Sequence, residues 1–379
     1  QSTLYGSEAM GGVINLITRE SKEALSGNLR LRYGTLNRLD GHGSVSIQEG
    51  ILHNQFVVGW HSNDSFDLNP DDEATDGNAV QQFDAFNQTR LQLAANAWVT
   101  ARFGYLQRKS WGIDSNGVAV VDRTNLTEDA QSLMKWTVLP DENSALKIHT
   151  GFSMYRDQYL ADQRGGTSLD QYQETIEHLG TLLVQYDRDL QKGHFVTFGF
   201  EGLIQDMTSA RLKDETALRT RFAWFAQHMW TAGANDALTV SPGIRIDQDS
   251  WFGLNPTPKL AVRYAPIPIL AFRTSYGWGY RAPDFKEMFL LFENSGRAYR
   301  VEGNPELRPE NSKNYQIGVD FEPVDSFRWS VNAFRNDIEN LIAIETLEES
   351  DGINPTRYGY VNIGLARTQG VETQLSFQP

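Results

Sequence analysis

The sequence predicts an all-β chain whose strands form a transmembrane antiparallel β-barrel. Three observations carry that prediction. Apolar and polar residues alternate with a period of two over segments longer than ten residues, as in strands with one apolar and one polar face. Short and long connections alternate along the chain, the pattern of barrels whose loops lie on one side of a membrane. No run of 18 apolar residues exists, which excludes a helical span, whereas a spanning strand needs only every second residue apolar.

The opening segment, Tyr5-Gly6-Ser7-Glu8-Ala9-Met10-Gly11-Gly12-Val13-Ile14-Asn15-Leu16-Ile17-Thr18, reads as a tight glycine turn into an apolar strand; alone, it is an ordinary strand entry. About sixteen strands follow residue 25, each long enough to cross a bilayer at a tilt. In 146–155, Leu146, Ile148, Thr150, Phe152 and Met154 oppose Lys147, His149, Gly151, Ser153 and Tyr155. In 269–281, Leu270, Phe272, Thr274, Tyr276, Trp278 and Tyr280 oppose Ala271, Arg273, Ser275, Gly277, Gly279 and Arg281. Tyr315, Ile317, Val319 and Phe321 likewise oppose Gln316, Gly318 and Asp320. Between strands, short turns at 140–143, 265–268 and 323–326 alternate with longer loops expected at 63–82, 109–126, 159–169 and 282–308.

A soluble antiparallel sheet has the same period with its apolar face turned to a core. Two features favour the membrane: large aromatics near the ends of the apolar faces, as in interfacial girdles, and Gly, Ser and Arg opposite them, as in wet lumens. Composition agrees. Of 379 residues 40% are hydrophobic and 11% aromatic, and no linker or charge block divides the chain into separate cores. Cysteine is absent, which excludes disulfides, thiolate metal sites and cysteine nucleophiles. A net charge of −14 argues against nucleic acid as a partner, since such binding rests on basic surface.

Three patches then carry a family likeness. The opening segment is one, through Tyr5, Gly6, Gly11, Gly12 and Asn15. The second pairs Gly279-Tyr280-Arg281-Ala282-Pro283-Asp284-Phe285-Lys286-Glu287 with Gly303-Asn304-Pro305-Glu306-Leu307-Arg308-Pro309-Glu310 and Ser312. The third is Tyr360-Val361-Asn362 followed by Ala366-Arg367-Thr368-Gln369-Gly370-Val371-Glu372. Together they resemble TonB-dependent outer-membrane receptors over essentially the whole chain, with 60–250 matching in strand layout rather than motif. The resemblance implies a 22-stranded barrel preceded by a plug. Residues 1–22 would end the plug and 23–379 would form part of the barrel, with Gln1 inside a longer protein and about six strands missing. It further implies a monomer in the Gram-negative outer membrane, among lipid and lipopolysaccharide, that is energised by TonB through a segment upstream of Gln1. The long loops would face outward.

Physically, Pro283 ends a rising strand, 284–292 can form a helix-like turn, and Pro305 and Pro309 hold an extended entry into the next strand. Arg281, Pro283, Asn304, Pro305, Pro309 and Glu310 are therefore expected to set loop geometry. Between these boxes lie Phe289, Phe292, Arg297, Tyr299 and Arg300. Rings stack on flat ligands and guanidinium groups supply charge with fixed geometry, so these residues, with Trp111, are the candidates for holding an anionic ferric chelate. The expected function is import of a scarce bulky solute, foremost a ferric siderophore, then cobalamin, then haem. Haem stands last because haem receptors resembling this chain carry a histidine between the two boxes, and 284–303 has none.

The acidic run Asp64, Asp67, Asp71, Asp72, Glu73 and Asp76 lacks the spacing of a calcium loop, although some vitamin B12 receptors of this family bind calcium in an outer loop. No metal or cofactor is assigned. His42, His53, His61, His149, His178, His194 and His228 are scattered, and no catalytic constellation stands out, so no enzyme is expected. A passive porin or a soluble β-rich carbohydrate-binding protein are the alternatives of another class.

Overall fold

The computed structural model describes residues 23–69, 71–115, 119–294, 299–350 and 354–378. The glycine-rich opening motif, with Tyr5, Gly6, Gly11, Gly12 and Asn15, lies outside them, as does Arg297. Among the described residues the fold is one sheet with almost no helix. Its strands are β1 (Leu25–Tyr33), β2 (Leu39–Glu49), β3 (Leu52–Asn63), β4 (Ala79–Ala94), β5 (Ala97–Ser115), β6 (Val120–Val138), β7 (Ser144–Gln163), β8 (Gln171–Gln191) and β9 (His194–Ser209). β10 (Thr216–Ala232), β11 (Leu238–Asp249), β12 (Gly253–Ile267) and β13 (Leu270–Arg281) follow. After α1 (Phe285–Phe289) come β14 (Leu291–Asn294), β15 (Tyr299–Glu302), β16 (Glu310–Val324), β17 (Phe327–Glu348) and β18 (Thr356–Phe377).

β14 and β15 form a small hairpin inside the segment 282–309. The other strands build the wall, each antiparallel to its neighbour, with β13 pairing directly to β16. Among the described residues no pairing joins β1 to β18, so the wall is an open sheet. Connections at one end are 34–38, 64–78, 116–119, 164–170, 210–215, 250–252, 282–309 and 349–355; those at the other end run from two to five residues. The expected alternation is therefore present, but three expected loops are shorter, the first running 64–78 because β4 pairs from Ala79 onward. Strand pairing continues through 109–115 and 120–126, and β7 runs on to Gln163, because long hairpins keep making ladder hydrogen bonds beyond the apolar band.

The short turns follow from chirality. Lys192 and Gly193 have φ of 52° and 80°, the paired left-handed conformation that matches strand twist in a tight hairpin. A Cβ on Gly193 would lie 2.1 Å from the Thr231 carbonyl oxygen, so only glycine fits there.

Alternation sets the two faces. On β9, Phe198 is 53% exposed while Thr197 is 7% exposed and donates to Asp187 at 2.8 Å. Phe152, Trp224, Phe272, Trp278 and Tyr315 are likewise exposed on the outer row, and Tyr276 meets Tyr315 across strands with ring centroids 4.9 Å apart. The start of segment 282–309 packs against the opposite face and so marks it as the inside: Phe285 joins Met207 and Leu212 in a buried apolar cluster. Tyr280 departs from the expected outward row. It is 2% exposed: β13 stops pairing with β12 beyond Gly277, which frees that side of the strand, while its register with β16 continues to Arg281.

Candidate functional site

The site is assembled where segment 282–309 folds over the inner face at the long-connection end. Asp284 caps α1: its carboxylate accepts from Glu287 N at 2.7 Å while Glu287 accepts from Asp284 N at 2.9 Å, satisfying orphan amides reciprocally. Beyond α1 the backbone is stitched to the β9–β10 connection, with Lys213 N donating to Phe289 O (2.9 Å) and Leu291 N to Arg211 O (2.7 Å). Gly303 closes the turn by donating to Leu290 O, and a Cβ there would lie 2.5 Å from backbone atoms of Phe289 and Leu290. β15 then lies parallel to the start of β18.

The motif residues hold this arrangement in place. Arg281 bridges Glu287 (3.0 Å) and Glu310 (2.7 Å), and Glu310 also accepts from Ile342 N. Asn304 donates to Tyr360 O (3.0 Å). Asn362 accepts from Arg308 N and donates to the carbonyls of Arg308 and Asn340, so the second and third sequence patches meet here. Pro283 is fully buried and its carbonyl accepts from Arg219; the Pro309 carbonyl accepts from Asn311 and Asn340. Pro305 lies in the short turn between Asn304 and Leu307.

The candidate ligand residues divide. Phe292 lines a cavity of about 230 Å³ between the loop and the inner rows of β7 to β9, together with Tyr155, Thr175, Arg211 and Lys286. The Arg211 guanidinium lies 5.3 Å from the Phe292 ring and donates to Gln173 at 2.5 Å. Tyr299 stands 6.0 Å from Phe292 and 6.3 Å from Tyr358 by ring centroids, so a chain of three rings leads away from the one that lines the cavity. Phe289 instead packs edge-on to Trp251 at 5.4 Å. Arg300 is paired with Glu302 (2.9 Å), as is Arg357 (3.1 Å); hydrogen bonds from Arg357 hold the Glu302 carboxyl below its ordinary range. Trp111 is on β5, in the outward row with Phe103, under the Lys109 ammonium. It faces away from the cavity.

Sequence reading missed Arg211, which sits in a six-residue connection without a motif. It also missed a buried charge ladder on β10 and β11. Arg219 and Asp249 pair at 2.5 Å, and Arg245 bridges Asp247 (2.9 Å) and Glu201 (3.0 Å). The Arg219-x-Arg221 and Arg245-x-Asp247-x-Asp249 spacings were the available signal, because alternate residues of a strand share a face. Beside this ladder the Tyr280 hydroxyl is buried without a hydrogen-bond partner among the described residues. In the acidic run, Asp67 and Asp72 accept from the amides of Asn69 and Ala74, and Asp76 from Leu68 N. These carboxylates cap the turns of their own loop.

A wall that is apolar outside and polar inside, with long connections at one end and a folded loop inside it, defines a large outer-membrane barrel of the receptor type. Residues 23–378 match the family described as TonB dependent receptor-like, beta-barrel, and the chain belongs to that family. Among curated relatives, it is 26% identical to an iron-regulated outer membrane virulence protein of Vibrio cholerae over 99% of this chain and 58% of that protein. It is 24% identical to a vitamin B12 transporter of Vibrio vulnificus over 100% of this chain and 58% of that protein. The chain thus spans less than two thirds of the length of these relatives. The fold also matches the crystal structure of the siderophore receptor PirA from Pseudomonas aeruginosa, with a TM-score of 0.80 and 18% identity, covering 99% of this chain and 67% of that one. The protein is an outer-membrane barrel of the Gram-negative type.

Proposed function

We propose that this chain supplies most of the barrel of a TonB-dependent receptor that imports a ferric siderophore, with residues 1–22 closing the plug and 23–379 forming barrel. The observation that carries the reading is the cavity under 282–309. It places two cations, Arg211 and Lys286, with one carboxylate, Asp157, beside the Phe292 ring, which Tyr299 neighbours at 6.0 Å. Rings take a flat ligand face and the cations take its charge. An engineered cavity of about 150 Å³ holds benzene, so about 230 Å³ has room for one substituted ring of a chelate. Work for release would come through TonB, because the outer membrane holds no ATP. The role is transport, with no catalytic step.

The test is equilibrium binding of ferric catecholate and hydroxamate chelates, cobalamin and haem to the receptor in lipid, beside an Arg211→Gln variant. A ferric catecholate should bind, and loss of the Arg211 charge should weaken it about ten- to a hundred-fold, the equivalent of roughly 1.5–3 kcal/mol for one charge-assisted hydrogen bond. Binding of cobalamin alone would move the assignment to that vitamin, which the likeness to a B12 transporter makes the second reading.

A further inference from the structure

The outer face carries a polar pair that the solute site does not use. On β9 and β10 the exposed Phe198 and Trp224 mark the lipid-facing row, and His194, His228 and Trp230 fall on it by alternation. Trp230 pairs with His194 at the start of β9, and His228 pairs with Val196, one step nearer Phe198. All three therefore stand at the short-connection edge of the wall, with His194 roughly 13 Å along the strand from Phe198.

The His194 Nδ1 and His228 Nε2 atoms face each other at 3.0 Å. The ring centroids are 5.2 Å apart and the planes 8° from parallel, a separation close to the nitrogen gap plus a ring radius at each end. The rings therefore lie end to end in one plane, each nitrogen aimed at the other. Lone pairs so directed converge on no third point, which suits a shared proton and not a chelated metal. One facing nitrogen donates and the other accepts, so the neutral pair keeps one further N–H on an outer nitrogen. Another proton fills the second outer nitrogen and charges the pair without breaking the bond. Among the described residues no group accepts from either outer nitrogen. An unmet donor at a lipid-facing rim is costly, so its acceptor comes from outside the protein.

No carboxylate shares the pair's row. The outward positions around it are Tyr186, Arg188, Leu190, Val196, Ala226 and Val240. Arg188 is held by Asp141 at 2.7 Å. Asp189, Lys192 and Asp236 lie at or beyond the strand ends, where Asp189 accepts from Gln191 N. We propose that His194, His228 and Trp230 form a headgroup site for one anionic phospholipid in the leaflet at the short-connection end. The protonated pair donates to a phosphate oxygen and meets its charge. The Trp230 indole, 6.2 Å from His194 and nearly parallel to it, lies at the polar boundary where such rings settle. The acyl chains then run over Val196 and Phe198. Depth favours this occupant, because a lipid phosphate is held at the rim by its own chains, whereas a soluble anion keeps its water. The site is on the outer face and does not depend on which solute is carried.

The receptor is reconstituted in vesicles of equal phosphatidylglycerol and phosphatidylcholine at about pH 5.5, below the ordinary histidine value. It is then extracted, and the lipid it retains is identified by native mass spectrometry. The unsubstituted protein should keep phosphatidylglycerol over phosphatidylcholine. His194→Gln with His228→Gln should cut that retention about ten- to a hundred-fold, while Lys192→Gln, which removes a nearby charge and leaves the pair intact, should not. His194→Gln alone is the second variant, and unheated gel mobility checks that each protein is folded. Raising the pH to about 8 should lower retention in the unsubstituted protein and leave the double variant unchanged. A Trp230→Phe protein is subtracted to isolate Trp230 fluorescence, which added phosphatidylglycerol should shift and inorganic phosphate should not. Equal retention by the unsubstituted protein and the double variant overturns the proposal. So does retention that Lys192→Gln lowers as much, or that is the same at both pH values. A response to inorganic phosphate as large as that to the lipid refutes the lipid as occupant and leaves a simple anion site.

Discussion

Replacing Phe198 by arginine measures which face of the wall meets lipid. Phe198 stands four residues from the start of β9 at the short-connection end. With a rise of about 3.3 Å per residue and a tilt of about 40°, that is roughly 10 Å along the membrane normal, near the middle of an apolar band about 25 Å tall. Arginine on the lipid face at that depth costs about 2–4 kcal/mol. Thr197 lies at nearly the same depth but turns inward, where its hydroxyl donates to Asp187. Thr197→Arg forfeits that bond, about 1 kcal/mol, and sets the new guanidinium beside the same carboxylate, which offsets part of the loss. The assay is urea unfolding in lipid vesicles, followed by tryptophan fluorescence and gel mobility. Phe198→Arg should lose at least about 1 kcal/mol more than Thr197→Arg. Equal losses, or a larger loss at Thr197, would refute the assignment of faces.

Three further outcomes follow from the loop and its anchors. Gly303→Ala should destabilise segment 282–309 by roughly 1–3 kcal/mol, because its methyl meets backbone rather than a yielding side chain; faster proteolytic nicking between 282 and 309 would register it. Arg219→Met strands the buried Asp249 carboxylate and should cost about 3–5 kcal/mol, whereas Arg219→Met with Asp249→Asn, which removes the stranded charge and keeps an acceptor for the Trp251 and Phe252 amides, should recover part of it in the same urea assay. The depressed Glu302 pKa means that its pairing with Arg357 contributes fully above the ordinary carboxylate range and is lost as pH falls through the lowered value. The hairpin's grip on β18 should thus loosen only on acidification, read as amide exchange at 299–302, and Glu302→Gln should abolish that pH dependence.

The strands and their faces were legible because a period of two survives in any half-polar sheet, as Phe152 against Gly151 and Phe198 against Thr197 illustrate. Loop lengths were less so: nothing at 109–126 distinguishes a strand above the apolar band from a loop, since both are polar. Tyr280 was misplaced because its row is right only while β12 still pairs with β13. The boxes around 282–309 announced their geometric role through Pro283, Pro305 and Pro309. Their partners did not, because Arg219, Asn340 and Tyr360 come from strands far away in sequence. Arg211 was invisible for the same reason: only folding brings its short connection under Phe292.

Cysteine protection tests the central claim, a solute site at the outer mouth of the barrel, most directly. The chain has no cysteine, so Thr175→Cys, in the upper cavity, and Asp325→Cys, in a two-residue turn at the opposite end, each give a single thiol. On intact cells a membrane-impermeant maleimide should label position 175 and leave 325 unlabelled, and a saturating ferric catecholate should slow labelling at 175. Labelling at 325 but not 175, or labelling at 175 that no ferric chelate slows, would contradict the account.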